Sequence, residues 1–148
     1  MNSSAPKALE ILLVEDNPGD VVLTREAFYD GHIVNNMSVA HDGEQALEYL
    51  RKEEKFKDAV TPDIILLDLN LPKKDGHQVL EEMKADNTLR DIPVVVLTSS
   101  KAERDVLQTK NLNANGYLIK PVDIEKLTSI IRDIRGLSFE TNTMSEDQ

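Results

Sequence analysis

A doubly wound α/β fold, with five parallel strands and helices on both faces of the sheet, follows from two features of the sequence. Five short apolar runs alternate with stretches of helical periodicity, the signature of repeated strand–helix–strand units joined by right-handed crossovers. Three of those runs are continuously apolar rather than alternating, as expected of parallel strands buried on both faces.

The first run, Ile11-Leu12-Leu13-Val14, leads into Glu15-Asp16 and the turn NPGD. There Pro18 suits the start of a helix and Asp20 reads as its cap. The second run, Met37-Ser38-Val39-Ala40, ends in His41-Asp42 and suits an edge strand. The charged stretch from Lys52 to Pro62, around Phe56, reads as a long surface loop, with KEEKFKD as a solvated helix end. The third run, Ile64-Ile65-Leu66-Leu67, ends in Asp68. After it come Asn70, Lys73-Lys74 and Asp75-Gly76, and then a helix with the apolar stripe Val79, Leu80 and Met83. The fourth, Val94-Val95-Val96-Leu97, ends in Thr98-Ser99-Ser100. The stretch from Lys101 to Leu112 has a thin stripe (Ala102, Val106, Leu107), which predicts the least firmly docked helix. The fifth run, Tyr117-Leu118-Ile119, ends in Lys120-Pro121. Ile124, Leu127, Ile130, Ile131 and Ile134 then recur at helical spacing, with Asp123 placed to cap the helix and Gly136 to stop it.

At 148 residues the chain suits one domain, expected over residues 8–136, with flexible termini at 1–7 and 137–148 and no output domain. No apolar stretch approaches the roughly 20 residues of a membrane span, and the N-terminus lacks a signal-peptide core. The absence of cysteine removes disulfides and thiolate metal sites and fits a cytoplasmic protein. A net charge of −10 argues against direct DNA contact, which needs a basic face.

In such sheets ligands bind beyond the carboxyl ends of the strands, where the strand order reverses. Taken singly, an acidic pair, a Thr-Ser-Ser and a Lys-Pro are ordinary caps and turns. Here Glu15-Asp16, Asp68, Thr98-Ser99-Ser100 and Lys120 arrive together at one edge. Three carboxylates in one crevice repel each other and raise each other's pKa unless a cation sits among them. Oxygen ligands without His or Cys favour a hard ion, and Mg²⁺ recruits phosphate oxygens. An aspartate between such a metal and an ammonium is a nucleophile for a phosphoryl group, with the metal, Lys120, a hydroxyl and backbone N–H groups neutralising the transferred oxygens. The resulting acyl phosphate changes the local charge and can pull a neighbouring loop.

From about Ala8 to Gly136 the sequence resembles the receiver domain of two-component response regulators, on the motifs LLVEDNPGD, ILLDLNLPKKDG, PVVVLTSS and GYLIKP. The resemblance implies a flavodoxin-like (CheY-like) sheet of strand order 2-1-3-4-5 and phosphoryl transfer from a sensor histidine kinase to Asp68. It assigns Mg²⁺ to the side chains of Asp16 and Asp68 and the backbone carbonyl of Asn70, with Glu15 acting through water. It makes Lys120 and the Ser99 N–H phosphate partners, Thr98 the hydroxyl that moves to the phosphoryl group, Tyr117 the switch aromatic and the Lys120–Pro121 bond cis. Asn70 and Ser100 fall where the family tunes dephosphorylation. The NPGD turn, the long loop before the third strand, DLNLPKKDG and PVVVLTSS are similar to small stand-alone regulators paired with phytochrome-type kinases. Such regulators often form homodimers and pass their signal to a downstream protein or a histidine phosphotransfer protein.

Other chemistries fit less well. A Mg²⁺-dependent phosphatase of the haloacid dehalogenase type needs an acid two residues after the nucleophile, where this chain has Asn70, and a cap module for which it has no room. A flavodoxin-like cofactor binder needs a phosphate-cradling loop after the first strand. His32, His41 and His77 have no partner at ligand spacing and read as solvated positions. Lys73-Lys74 reads as a solvated loop or as a pair that steers an acidic partner.

Overall fold

Continuous apolar sequence becomes continuous burial at the centre of the sheet. In the computed structural model, which describes residues 8–71, 73–100, 102, 105–106 and 114–134, all five residues of β3 (Ile64–Asp68) and of β4 (Val94–Thr98) are buried. With β1 (Leu9–Val14), β2 (Asn35–Ala40) and β5 (Gly116–Ile119) they form one parallel sheet in the order β2-β1-β3-β4-β5. The order reverses between β1 and β3, so a crevice opens at their carboxyl ends. β2 is an edge strand, as its polar ending suggests.

Strand alternation divides the core in two. Leu12, Val14, Ile65, Leu67, Val94 and Val96 face α2 (Gly43–Leu50) and α3 (Gly76–Ala85), meeting Leu47, Leu80 and Met83. Leu9, Ile11, Leu13, Leu66, Leu97 and Leu118 face α1 (Pro18–Asp30) and α4 (Ile124–Asp133), meeting Phe28, Leu127 and Ile131. Each fully buried aliphatic side chain stabilises the fold by about 1.5–3 kcal/mol relative to exposure. The two layers together hold the strand ends in fixed register.

The helix starts are specified by side-chain caps. Asp123 accepts from the N–H groups of Glu125 and Lys126, as expected, and Asp75 and Gln78 form a reciprocal capping box at α3. At α1 the expectation is corrected. Asn17, not Asp20, is the N-cap, accepting from the N–H groups of Gly19 and Asp20. Pro18 takes the first helical position, which places Asp20 three residues past the cap.

The segment from 52 to 62 is also corrected. α2 ends at Leu50, and Glu54–Phe56 form a 3₁₀ turn rather than a continuous loop or a helix end. The Phe56 ring explains this order, because it packs edge-on against Tyr49 with centroids 5.4 Å apart. Lys74 is not a freely solvated loop residue, being half-buried and paired with Glu82. Ala102, Asp105 and Val106 have helical backbone. The rest of the stripe expected between Lys101 and Leu112, the stop at Gly136 and both termini lie outside the described residues.

Candidate functional site

Register brings the site together. Val14 pairs with Leu67, Asp68 with Leu97, and Thr98 with Ile119. Glu15 therefore stands level with Asp68, one step past the end of β1, and Lys120 stands one step past the end of β5. Glu15, Asp68 and Lys120 also share the parity of the residues that face α1 and α4. This is why they meet although they are up to 105 positions apart in sequence.

Lys120 lies at the centre of the cluster. Its Nζ donates to Glu15 Oε1 at 2.8 Å, Asp68 Oδ2 at 3.0 Å and Asp20 Oδ2 at 3.0 Å. Asp68 is 3% exposed and Glu15 1%, so both carboxyl groups sit in the protein rather than in water. Burial pushes the Glu15 carboxyl up to about 7, against the pull of Lys120 and aided by Asp68. For Lys120 burial acts downward, but the hydrogen bonds to the three carboxylates outweigh it and hold the ammonium above its ordinary range.

Glu15, Asp16 and Asp68 each offer a carboxylate oxygen, and these lie within 4.8 Å of one another. Among the described residues this is the one grouping of acidic or His side chains suited to a metal ion. The donor set is oxygen only, with one exposed member (Asp16) and two buried ones. It therefore fits a hard divalent cation that keeps part of its water shell. None of the three histidines takes part.

The cluster lines a cavity of about 200 Å³, whose wall also includes Asn17, Asn70 and Ser99. The Asn70 N–H donates to Asp68 Oδ1 at 3.0 Å, which leaves Asp68 with one oxygen toward the loop and the other toward Lys120. Gly76 supports that loop from behind, its N–H donating to Leu69 O at 3.0 Å.

Thr98 and Tyr117 stand apart from the carboxylates. Thr98 is fully buried, and its hydroxyl donates to Ser100 O at 3.0 Å and accepts from the Ser100 N–H at 3.2 Å. Tyr117 is half-buried beside the α2/α3 layer, and its hydroxyl accepts from the Ala114 N–H at 3.1 Å. By alternation Thr98 and Tyr117 share one face of the sheet, since Tyr117 pairs with Val96, two residues before Thr98. The Lys120–Pro121 peptide bond is cis.

Asp20 is the site residue that the motifs alone did not reveal. An acid in the first turn of a helix has a sufficient explanation in capping and the helix dipole. The overlooked signal was Asn17, a strong cap placed directly before a proline at N1, which leaves Asp20 without that duty.

Comparison with known proteins agrees with this geometry. The family model "response regulator receiver domain" matches residues 11–132. Response regulator Rcp1 from Synechocystis is 39% identical over 142 residues, covering 96% of this chain and 95% of its own. A solved Mn(2+)-bound form of Rcp1 superposes with a TM-score of 0.74, covering 90% of this chain and 99% of that one. The bacteriophytochrome response regulator AtBRR is 39% identical with a TM-score of 0.84, covering 94% of this chain and 100% of that one. The phosphorylated cyanobacterial phytochrome response regulator RcpA is 44% identical with a TM-score of 0.71, covering 84% and 89%.

Proposed function

This chain belongs to the response regulator receiver domain family of two-component systems, and from that premise we propose that Asp68 accepts a phosphoryl group from a sensor histidine kinase. The observation that carries the reading is the position of Asp68, a buried carboxylate at the switch point with Lys120 Nζ at 3.0 Å. In the transfer, the P–N bond of a phosphohistidine breaks and its electron pair stays on the imidazole, which takes up a proton. A P–O bond forms to an Asp68 oxygen. Lys120 offers positive charge to the transferred oxygens, and Ser99, a residue of the same cavity wall, would donate its N–H to them.

Glu15, Asp16, Asp68 and the Asn70 carbonyl are the residues that would hold Mg²⁺. The ion's contribution is to neutralise charge that builds up on the phosphoryl oxygens. Support comes from the oxygen-only donor set and from Rcp1, which has been solved with Mn²⁺ bound. In this reading catalysis is limited to the chain's own phosphorylation and hydrolysis. A haloacid dehalogenase-type phosphatase is not favoured, since residue 70 is Asn where that chemistry needs an acid.

Residues 8–136 form the receiver domain in this reading. The phosphoryl group draws the Thr98 hydroxyl away from Ser100, and Tyr117, on the same face, follows into the space vacated. The changed surface is read by a downstream protein or a histidine phosphotransfer protein. Similarity to regulators named for phytochromes supports a phytochrome-type kinase as partner, and the net charge of −10 supports action without DNA contact; the reading also includes assembly as a homodimer. Among the described residues no helix is long and apolar enough to cross a membrane.

The test is incubation with Mg²⁺ and a small phosphodonor. Acid-stable, base-labile label is expected on the wild type and absent from Asp68→Asn; label that survives in that variant refutes the assignment. Lys120→Ala should still accept some phosphate but fail to signal, and normal signalling by it would remove Lys120 from the mechanism.

A further inference from the structure

An ammonium group has three N–H donors, and those of Lys120 go to three carboxylates, on Glu15, Asp20 and Asp68. Asp20 is not part of the acidic cluster suited to metal, and no step described so far uses it. It lies in the first turn of α1, on the wall of the same cavity.

The three anchors differ in what their release costs. The side chains of Glu15 and Asp68 are 1% and 5% exposed, whereas that of Asp20 is 35% exposed. Taking Lys120 from Glu15 would strand a carboxyl group in the protein interior, a costly change. Asp20 can exchange its bond for water, and the N-terminal end of α1 continues to favour its charge. A phosphoryl group on Asp68 brings several oxygens that need donors, more than the single N–H that Asp68 already holds can serve.

We propose that Asp20 is a positioning residue for Lys120, holding one N–H of the ammonium while Asp68 is unmodified and yielding it to a phosphoryl oxygen once Asp68 is phosphorylated. The proposal rests on the assignment of Asp68 as phosphoacceptor. No covalent bond to Asp20 or Lys120 changes; one hydrogen bond is exchanged for another. The Asp20 carboxylate thus restrains phosphorylation in two ways. It occupies a donor that the transferred group needs, and it places a negative charge beside the path of an anionic phosphodonor. Removing it leaves Lys120 still held by Glu15 and Asp68.

The experiment follows label from acetyl phosphate with Mg²⁺ in the wild type, Asp20→Asn, Asp20→Glu and Asp68→Asn, with thermal unfolding as a folding control. Asp20→Asn should take label about fivefold faster than wild type, the scale of a partly exposed ion pair. That gain should shrink toward one as ionic strength rises. Asp20→Glu, which keeps the charge, should restore the wild-type rate. In a second arm, the Asp20 carboxyl ¹³C resonance of the wild type is followed as beryllofluoride and Mg²⁺ are added to mimic the acyl phosphate. It should move toward the position of a solvated carboxylate. A labelled wild type with Asp20→Asn equal to it or slower overturns the proposal alone, as does an Asp20 resonance that beryllofluoride leaves unmoved. A wild type that takes no label overturns the phosphoacceptor assignment and this proposal with it.

Discussion

Gly76 lies in backbone contact with Asp68: a Cβ at residue 76 would stand 2.5 Å from the Asp68 carbonyl oxygen and 2.6 Å from Leu69 Cα. α3 therefore starts directly against the strand end that presents the reactive carboxylate. Because both colliding atoms are backbone, no side-chain rotation relieves the clash. Gly76→Ala should cost about 1–3 kcal/mol in urea unfolding and slow labelling of Asp68 by displacing it. Gly19→Ala is the control, since its Cβ would meet only the tip of Asn17, at 3.2 Å. It should stay within about 0.5 kcal/mol of wild type. Equal stability of the two variants would show that the contact at Gly76 does not constrain the loop.

Asn17 makes a second, independent prediction about α1. Its side chain satisfies the N–H groups of Gly19 and Asp20, at 2.8 and 3.1 Å. Asn17→Ala should destabilise the protein by about 1 kcal/mol, and Asn17→Ser should recover most of that loss. The midpoint of denaturant unfolding reads both. An Asn17→Ala variant as stable as wild type would show that the cap is supplied in another way.

What the sequence disclosed and what it withheld divide along physical lines. Apolar runs and their polar endings report strands and strand ends directly, so the sequence alone places Glu15, Asp68 and Lys120 at one edge. The face on which each side chain projects depends on strand parity across five segments. The separation of Thr98 and Tyr117 from the carboxylates is thus a property of the assembled sheet. Asp20 reads as a cap because a cap and an ion-pair partner have the same local sequence, and only the approach of Lys120 from 100 residues away distinguishes them. Phe56 reads as part of a loop because its partner, Tyr49, belongs to the preceding helix.

Glu15 should give stability a pH dependence. Its carboxyl is pushed from an ordinary 4.5 up to about 7 in the folded protein, chiefly by burial. Between those values the folded chain holds a proton that the unfolded chain has lost, so stability falls as pH rises through that window and levels off above it. Lys120 is shifted upward from its ordinary 10.5 and stays charged in both states throughout, so it adds no slope there. In metal-free protein, the stability of wild type minus that of Glu15→Gln should decline from pH 4.5 to 7 by up to something on the order of 3 kcal/mol. A flat difference, measured by urea unfolding at several pH values, would mean that Glu15 is ionised across the window.

The same proton should couple metal binding to pH. A divalent cation among Glu15, Asp16 and Asp68 favours the charged form of every carboxyl near it, so binding at pH 6 must expel the proton that burial has left on Glu15. At pH 8 that proton is already gone. Calorimetric titration with Mg²⁺ in two buffers of different ionisation enthalpy should show release approaching one proton at pH 6 and little at pH 8. The affinity should fall by up to about tenfold per pH unit below 7. Glu15→Gln has no proton to expel there, so its weaker binding should lose this dependence. Equal affinity of the wild type at pH 6 and 8, with no proton released, would show that Glu15 is not the group that gates metal entry.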